Sequence, residues 1–248
     1  WPSFVHKAID NLYYFDWLYI KVIIQKDFFV FSGECKVNDE CWFVKTHYPL
    51  GKEVAFKCNK VILCVRNPLD VVTSMFNFWA SQTQNLSIET QDFHERYAAD
   101  WANLVQQEIS CWRDFHNFWL HKARNESVPV LFFRFEDITK DPKPVLMDVF
   151  AFTLGRESVA GSLIEGKIDF LMRKKAAGAM QTQLYKPREA AANNKNLARF
   201  SPEQLAWIQT ELAPLIDFFE YNNGPTNFFS EIAVSETCSK FKEFNADS

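Results

Sequence analysis

The run Val61-Ile62-Leu63-Cys64-Val65, with the residues that follow it, limits what this chain can fold into more than any other stretch. It is continuously apolar, too short for a helix of its own and free of alternation. Those are the marks of a strand buried on both faces, as inside a parallel sheet. Asn67 and Pro68 then read as a helix start, because an Asn side chain accepts an orphan amide and Pro suits the first helical position. Asp70 falls in the first turn, where a negative charge complements the helix dipole. The helix is expected to run on through Ser74, Phe76 and Trp79.

This joint has a chemical consequence. Arg66 stands where the carboxyl end of a strand meets a helix, the edge at which open α/β sheets bind ligands. Ser74 lies two helical turns beyond Asn67 on the same face. A guanidinium and a hydroxyl so placed can grip one anion, the Arg through paired hydrogen bonds and the Ser through a further donor. Asp70 disfavours a site built from bare backbone amides, so side chains must hold that anion. The residues alone equally allow an ion pair between Arg66 and a carboxylate.

Cys41 to Thr46 is a second strand candidate, with Lys45 and His47 at its carboxyl end. In an extended segment these two point to one side. A cation beside a titratable imidazole suits transfer to a hydroxyl, although two polar residues at a solvated strand end would look the same. Pro129 to Phe135 is a further strand, and the adjacent Glu136 and Asp137 read as a loop anchor rather than an acid/base pair. Residues 1–25 suggest one or two amphipathic helices, and Phe28 to Phe31 a short strand or a helix end. Asp92 to Arg124 shows one sustained helical period, with Tyr97, Trp101, Leu104, Ile109, Trp112, Phe115 and Trp119 as a core stripe. Pro142 to Leu154 is a helix closed by Gly155, and another helix spans about Val159 to Lys175. Ser201-Pro202-Glu203-Gln204 is a capping box opening a helix to Tyr221, with Pro214 inside it. Arg173, Lys174, Lys175, Lys186, Arg188, Lys195 and Arg199 form the densest positive charge, read plainly as a solvated basic face. Residues 1–224 are expected as one domain and 225–248 as a polar tail.

Composition narrows the function. A net charge of −4 argues against a general nucleic-acid surface, while a local cationic cluster can still hold a small anion. The six cysteines are scattered without a C-x-x-C pair, which indicates neither a zinc site nor a redox motif, and Cys64 and Cys111 fall in apolar patterns as expected buried thiols. His116 and His121, five apart, do not share a face as metal ligands. Asn11 to Ile24 is too short and too charged to span a bilayer.

Several of these segments resemble sulfotransferases that use 3′-phosphoadenosine 5′-phosphosulfate (PAPS). Arg66-Asn67-Pro68-Leu69-Asp70-Val71-Val72-Thr73-Ser74 resembles the family's 3′-phosphate-binding segment. Val44-Lys45-Thr46-His47-Tyr48-Pro49 is similar to the segment carrying the catalytic residues of the cytosolic members. Pro129 to Ile138 resembles the strand ending in Arg-Tyr-Glu-Asp-Leu. Tyr185-Lys186-Pro187-Arg188 is similar to a late basic loop of sulfotransferases related to the WSC-domain-containing group. The resemblance covers roughly residues 33–221. It implies an α/β fold, a three-layer sandwich whose central parallel sheet is flanked by helices, like that of P-loop NTPases. It implies sulfuryl transfer from PAPS to a hydroxyl or amine of a small molecule, glycan or protein, without a metal. His47 would be the base and Lys45 would steady the transferring group. Arg66 and Ser74 would hold the 3′-phosphate, with Lys186 and Arg188 adding contacts from a basic loop. The family's phosphosulfate loop has no counterpart before Gly33, where Trp1 matches at most its last residue, so the chain is expected to be a fragment. A catalytically inactive homologue serving as a structural or assembly subunit is the alternative. Golgi lumen and cytoplasm both stay open, as does a membrane anchor outside this chain.

Overall fold

The computed structural model of the chain describes residues 21–24, 43–46, 59–82, 87–125, 128–176, 194–221 and 242–244. These divide into two compact units between which the chain passes more than once, first between Val65 and Arg66.

The first unit holds a five-stranded sheet in the order β2-β1-β3-β4-β5. Its strands are β1 (Lys21–Ile24), β2 (Phe43–Thr46), β3 (Val61–Val65), β4 (Val130–Arg134) and β5 (Lys242–Phe244). Where a central parallel sheet was expected, the sheet is mixed, with a small parallel part. Among the described residues only β3 and β4 pair in parallel, with Val61 opposite Val130 and Val65 opposite Arg134. Parallel neighbours need a long crossover, and between these two the chain runs through three helices. The other pairings, β1 with β2, β1 with β3 and β4 with β5, are antiparallel. Two reversals around β1 leave β2 running the same way as β3, so the carboxyl ends of β2, β3 and β4 lie at one edge. Lys21 of β1 pairs with both Thr46 and Leu63, which sets those two residues level across the sheet.

Two strands depart from the expected pattern. Lys21–Ile24, expected within a helix, is strand, because pairing with β2 and β3 outweighs the local helical period. Lys242–Phe244, in the segment expected as a polar tail, pairs with Val130, Leu131 and Phe132 of β4. Phe28 to Phe31 lie outside the described residues.

The helices are α1 (Pro68–Ser81), α2 (Thr90–His94), α3 (Ala98–Asn125), α4 (Phe135–Lys140), α5 (Pro142–Leu154), α6 (Leu163–Ala176), α7 (Asn194–Leu197) and α8 (Pro202–Phe218). In the sheet unit Ile62, Leu131 and Phe133 pack with Val145, Leu146 and Val149 of α5 and Ile168 and Leu171 of α6. The α5 helix stops at Gly155, whose φ of 62° suits glycine, with Gly155 N–H bonded to the Phe152 carbonyl and Arg156 N–H to that of Ala151. Lys60 Nζ donates to the same Phe152 carbonyl at 2.5 Å, adding a cation at the negative end of the helix.

The second unit comprises α1, α2, most of α3, α7 and α8. Part of its core is a cluster of rings: Phe76, Phe93 and Trp101 stand with centroids 4.8–5.1 Å apart, and Phe200 lies 5.0 Å from Trp101. Where one helix was expected from Asp92 there are two, interrupted at residues 95–97. Tyr97 N–H bonds back to the Asp92 carbonyl, and Trp101 N–H to that of Tyr97, so the chain turns a corner while Phe93 and Trp101 both stay buried. The capping box of α8 forms in full, Ser201 Oγ accepting from Gln204 N–H and Gln204 Oε1 from Ser201 N–H.

Candidate functional site

Arg66 follows β3 directly and precedes the cap of α1. Asn67 is buried, and its Oδ1 accepts the Leu69 N–H at 2.9 Å while its carbonyl starts the helix by accepting from Val71 N–H at 3.0 Å. The Asn-Pro signal therefore does what its chemistry requires. Arg66 itself is half-buried, and its carbonyl accepts the indole N–H of Trp112 at 3.1 Å. A chain pinned at its carbonyl and at the next residue's cap leaves the Arg66 side chain on a fixed root. Ser74 is half-buried on α1, about two turns beyond the cap.

Asp70, the first-turn carboxylate, is engaged. Asn196 of α7 donates to Asp70 Oδ1 at 2.5 Å, and Asn196 Oδ1 accepts from Arg199 Nη1 at 3.0 Å. Arg199 is not part of a solvated basic face. It is buried, donates to Ser87 Oγ and the Ile88 carbonyl at 3.2 Å each, and lies 4.7 Å from the Phe93 ring centre. Its carbonyl takes the Trp101 indole N–H at 2.8 Å, and Ile88 N–H reaches Asn77 Oδ1 on α1 at 2.7 Å. Acceptors from several segments meet this buried guanidinium and offset its desolvation.

Below Trp112, His116 is fully buried among Trp112, Phe115 and Phe219, with ring centroids 4.0–5.1 Å away. Burial holds it neutral and lowers its pKa to about 3, outweighing the opposing pull of the Trp112 carbonyl 2.7 Å from Nδ1. His121 is exposed, and among the described residues no group of His, Cys, Asp or Glu is arranged to hold a metal ion. In the sheet unit Arg134 Nε and Nη2 bind both oxygens of Asp137 at 2.8 and 2.7 Å, so Asp137 anchors the turn after β4. Cys64 and Cys111 are half-buried rather than buried.

Of the residues picked out by sequence, Arg66 and Ser74 share the segment that opens the second unit. Lys45 lies on β2, one residue before its end, and its backbone is opposite Val22. His47, Lys186 and Arg188 lie outside the described residues. Sequence reasoning missed Trp112 as a brace of Arg66 and Asn196 as the partner of Asp70. Trp112 carried only its helical period, and Asn196 carried no signal, since its partner lies 126 residues away.

The sulfotransferase domain family matches residues 7–182. The chain belongs to the sulfotransferase family. That span takes in Lys45, His47, Arg66 and Ser74 and ends before Lys186 and Arg188. No curated protein and no solved structure is matched by the chain. Family membership makes this sulfotransferase domain a transferase by type, and sulfuryl transfer the chemistry it suggests.

Proposed function

We propose that this sulfotransferase uses PAPS as donor and passes its sulfuryl group to a hydroxyl or amine acceptor, leaving 3′,5′-phosphoadenosine. The observation that carries this reading is the braced root of Arg66, between the Trp112 indole and the Asn67 cap. A doubly charged 3′-phosphate needs a rigid, charged donor, and Arg supplies paired hydrogen bonds in a fixed plane. Ser74 would add a hydroxyl donor to the same phosphate, and Lys186 and Arg188 further positive charge. Asp70 would compete for that cation, but Asn196 engages its carboxylate with a neutral donor. The reading is also supported by the common direction of β2, β3 and β4, since α/β sheets bind ligands beyond the carboxyl ends of their strands. The fold would then be P-loop-like.

In the transfer, the acceptor oxygen forms a bond to sulfur as the bond from sulfur to the bridging phosphate oxygen breaks. His47 would take the acceptor's proton, and Lys45 would offset the charge left on the bridging oxygen. Positioning and charge neutralisation supply most of the acceleration in such in-line group transfers. Calorimetric titration with 3′,5′-phosphoadenosine tests the donor site. Arg66→Ala should weaken binding by about 2–4 kcal/mol, the worth of charge-assisted bonds to a desolvated anion. Equal affinity in wild type and variant would remove the 3′-phosphate from Arg66.

A further inference from the structure

We propose that one face of α6 docks on a bilayer surface containing anionic phospholipid. The helix buries Ile168 and Leu171 completely and packs Ile164 and Met172 against the same core cluster. Its two carboxylates are already engaged by α5: Lys143 Nζ lies 3.0 Å from Glu165 and 2.7 Å from Asp169. The remaining stripe, at the spacing of one helical face, is Leu163, Gly166, Lys167, Phe170, Arg173 and Lys174. It carries three cations and no carboxylate, in a chain whose net charge is −4.

Its apolar members are open to solvent. Leu163 is 91% exposed and Phe170 40%. Lys167 Nζ and Lys174 Nζ sit 5.6 and 4.9 Å from the Phe170 ring centre, one a turn before it and one a turn after. Lysines so placed can lay their stems along the ring and keep their ammonium groups at phosphate level while the ring enters the boundary below. Charge complementarity selects an anionic partner. The exposed Leu163 and Phe170 select a lipid surface over a soluble polyanion, which has no apolar layer to receive them. Among the described residues no helix is long and apolar enough to cross a membrane, and docking needs none.

Co-sedimentation of the 248-residue chain with phosphatidylcholine vesicles, with and without phosphatidylserine, tests the proposal. Wild type should partition onto the serine-lipid vesicles and be released by salt. Leu163→Ala/Phe170→Ala and, separately, Lys167→Glu/Lys174→Glu should each bind at least roughly tenfold more weakly. Both pairs are on the open face, and unchanged circular dichroism would show each variant folded. Equal wild-type binding to both vesicle types overturns the proposal. So does a result in which the charge pair loses vesicles and heparin together while the alanine pair loses neither, for then the face reads soluble polyanions.

Discussion

In the sheet unit the buried side chains are mainly aliphatic, Ile62, Leu131, Val145, Leu146, Val149, Ile168 and Leu171, and Asp137 is its one buried charged or polar residue among those described. The helical unit buries a larger share of rings beside aliphatics such as Ile109, Ile208 and Leu212, and with them Asn67, Thr73, Asn77, His116 and Arg199. Aliphatic contact is non-directional and tolerates small shifts. Rings with N–H donors, amides and a guanidinium hold only at particular angles and distances. The polar burial is concentrated in the unit that begins with Arg66. The helical unit fixes the direction of the segment that follows Arg66.

Substitutions can break that contrast. Trp112→Ala should be the most damaging, costing about 4 kcal/mol in urea unfolding through its lost area and cavity. Because it also frees the Arg66 carbonyl, calorimetry should show bisphosphate affinity falling beyond what the unfolded fraction explains. Leu146→Ala in the sheet unit should cost about 3 kcal/mol yet leave the affinity of the folded molecules unchanged. If it weakened binding as much as Trp112→Ala does, the division of labour would be wrong.

A pH titration sharpens the same contrast. The unfolded chain protonates His116 below about 6.5, whereas the folded chain resists until about 3. The stability from this neutral imidazole is complete above 6.5 and declines as pH falls through that window, by about 1.4 kcal/mol per pH unit. Unfolding curves of His116→Leu should lack that slope, and a variant that keeps it would place the acid sensitivity elsewhere. Asn67→Ala is the mildest change, costing about 1 kcal/mol as a lost helix cap. It should show in the urea midpoint, and a variant as stable as wild type would mean that the Leu69 amide finds another acceptor.

The parts of this architecture written in local chemistry could be read directly. Asn67-Pro68, Gly155 and Ser201 with Gln204 announce helix ends, because each satisfies a backbone group within a few residues. The parts that depend on distant partners could not. Val22 to Ile24 look helical until β2 and β3 pair with them, and Lys242 to Phe244 show no pattern apart from the β4 edge they complete. The break at residues 95–97 carries no Gly or Pro. Arg199 looked like surface charge because Asn196, Ser87, Ile88 and Phe93 come together only in the folded chain. At the candidate site, motif and strand end located Arg66 and Ser74, while the Trp112 brace needed the fold.

The pairing of β5 with β4 has a consequence for synthesis on the ribosome. Strand β4 ends at Arg134, and the residues that cover its far edge begin only at Lys242. At ordinary elongation rates the gap is on the order of ten seconds. For that time Val130, Leu131 and Phe132 offer a nascent chain an uncovered ladder of amides and carbonyls, the kind of edge that neighbouring chains and chaperones bind. Pairing with β5 closes that edge once the end of the chain is made.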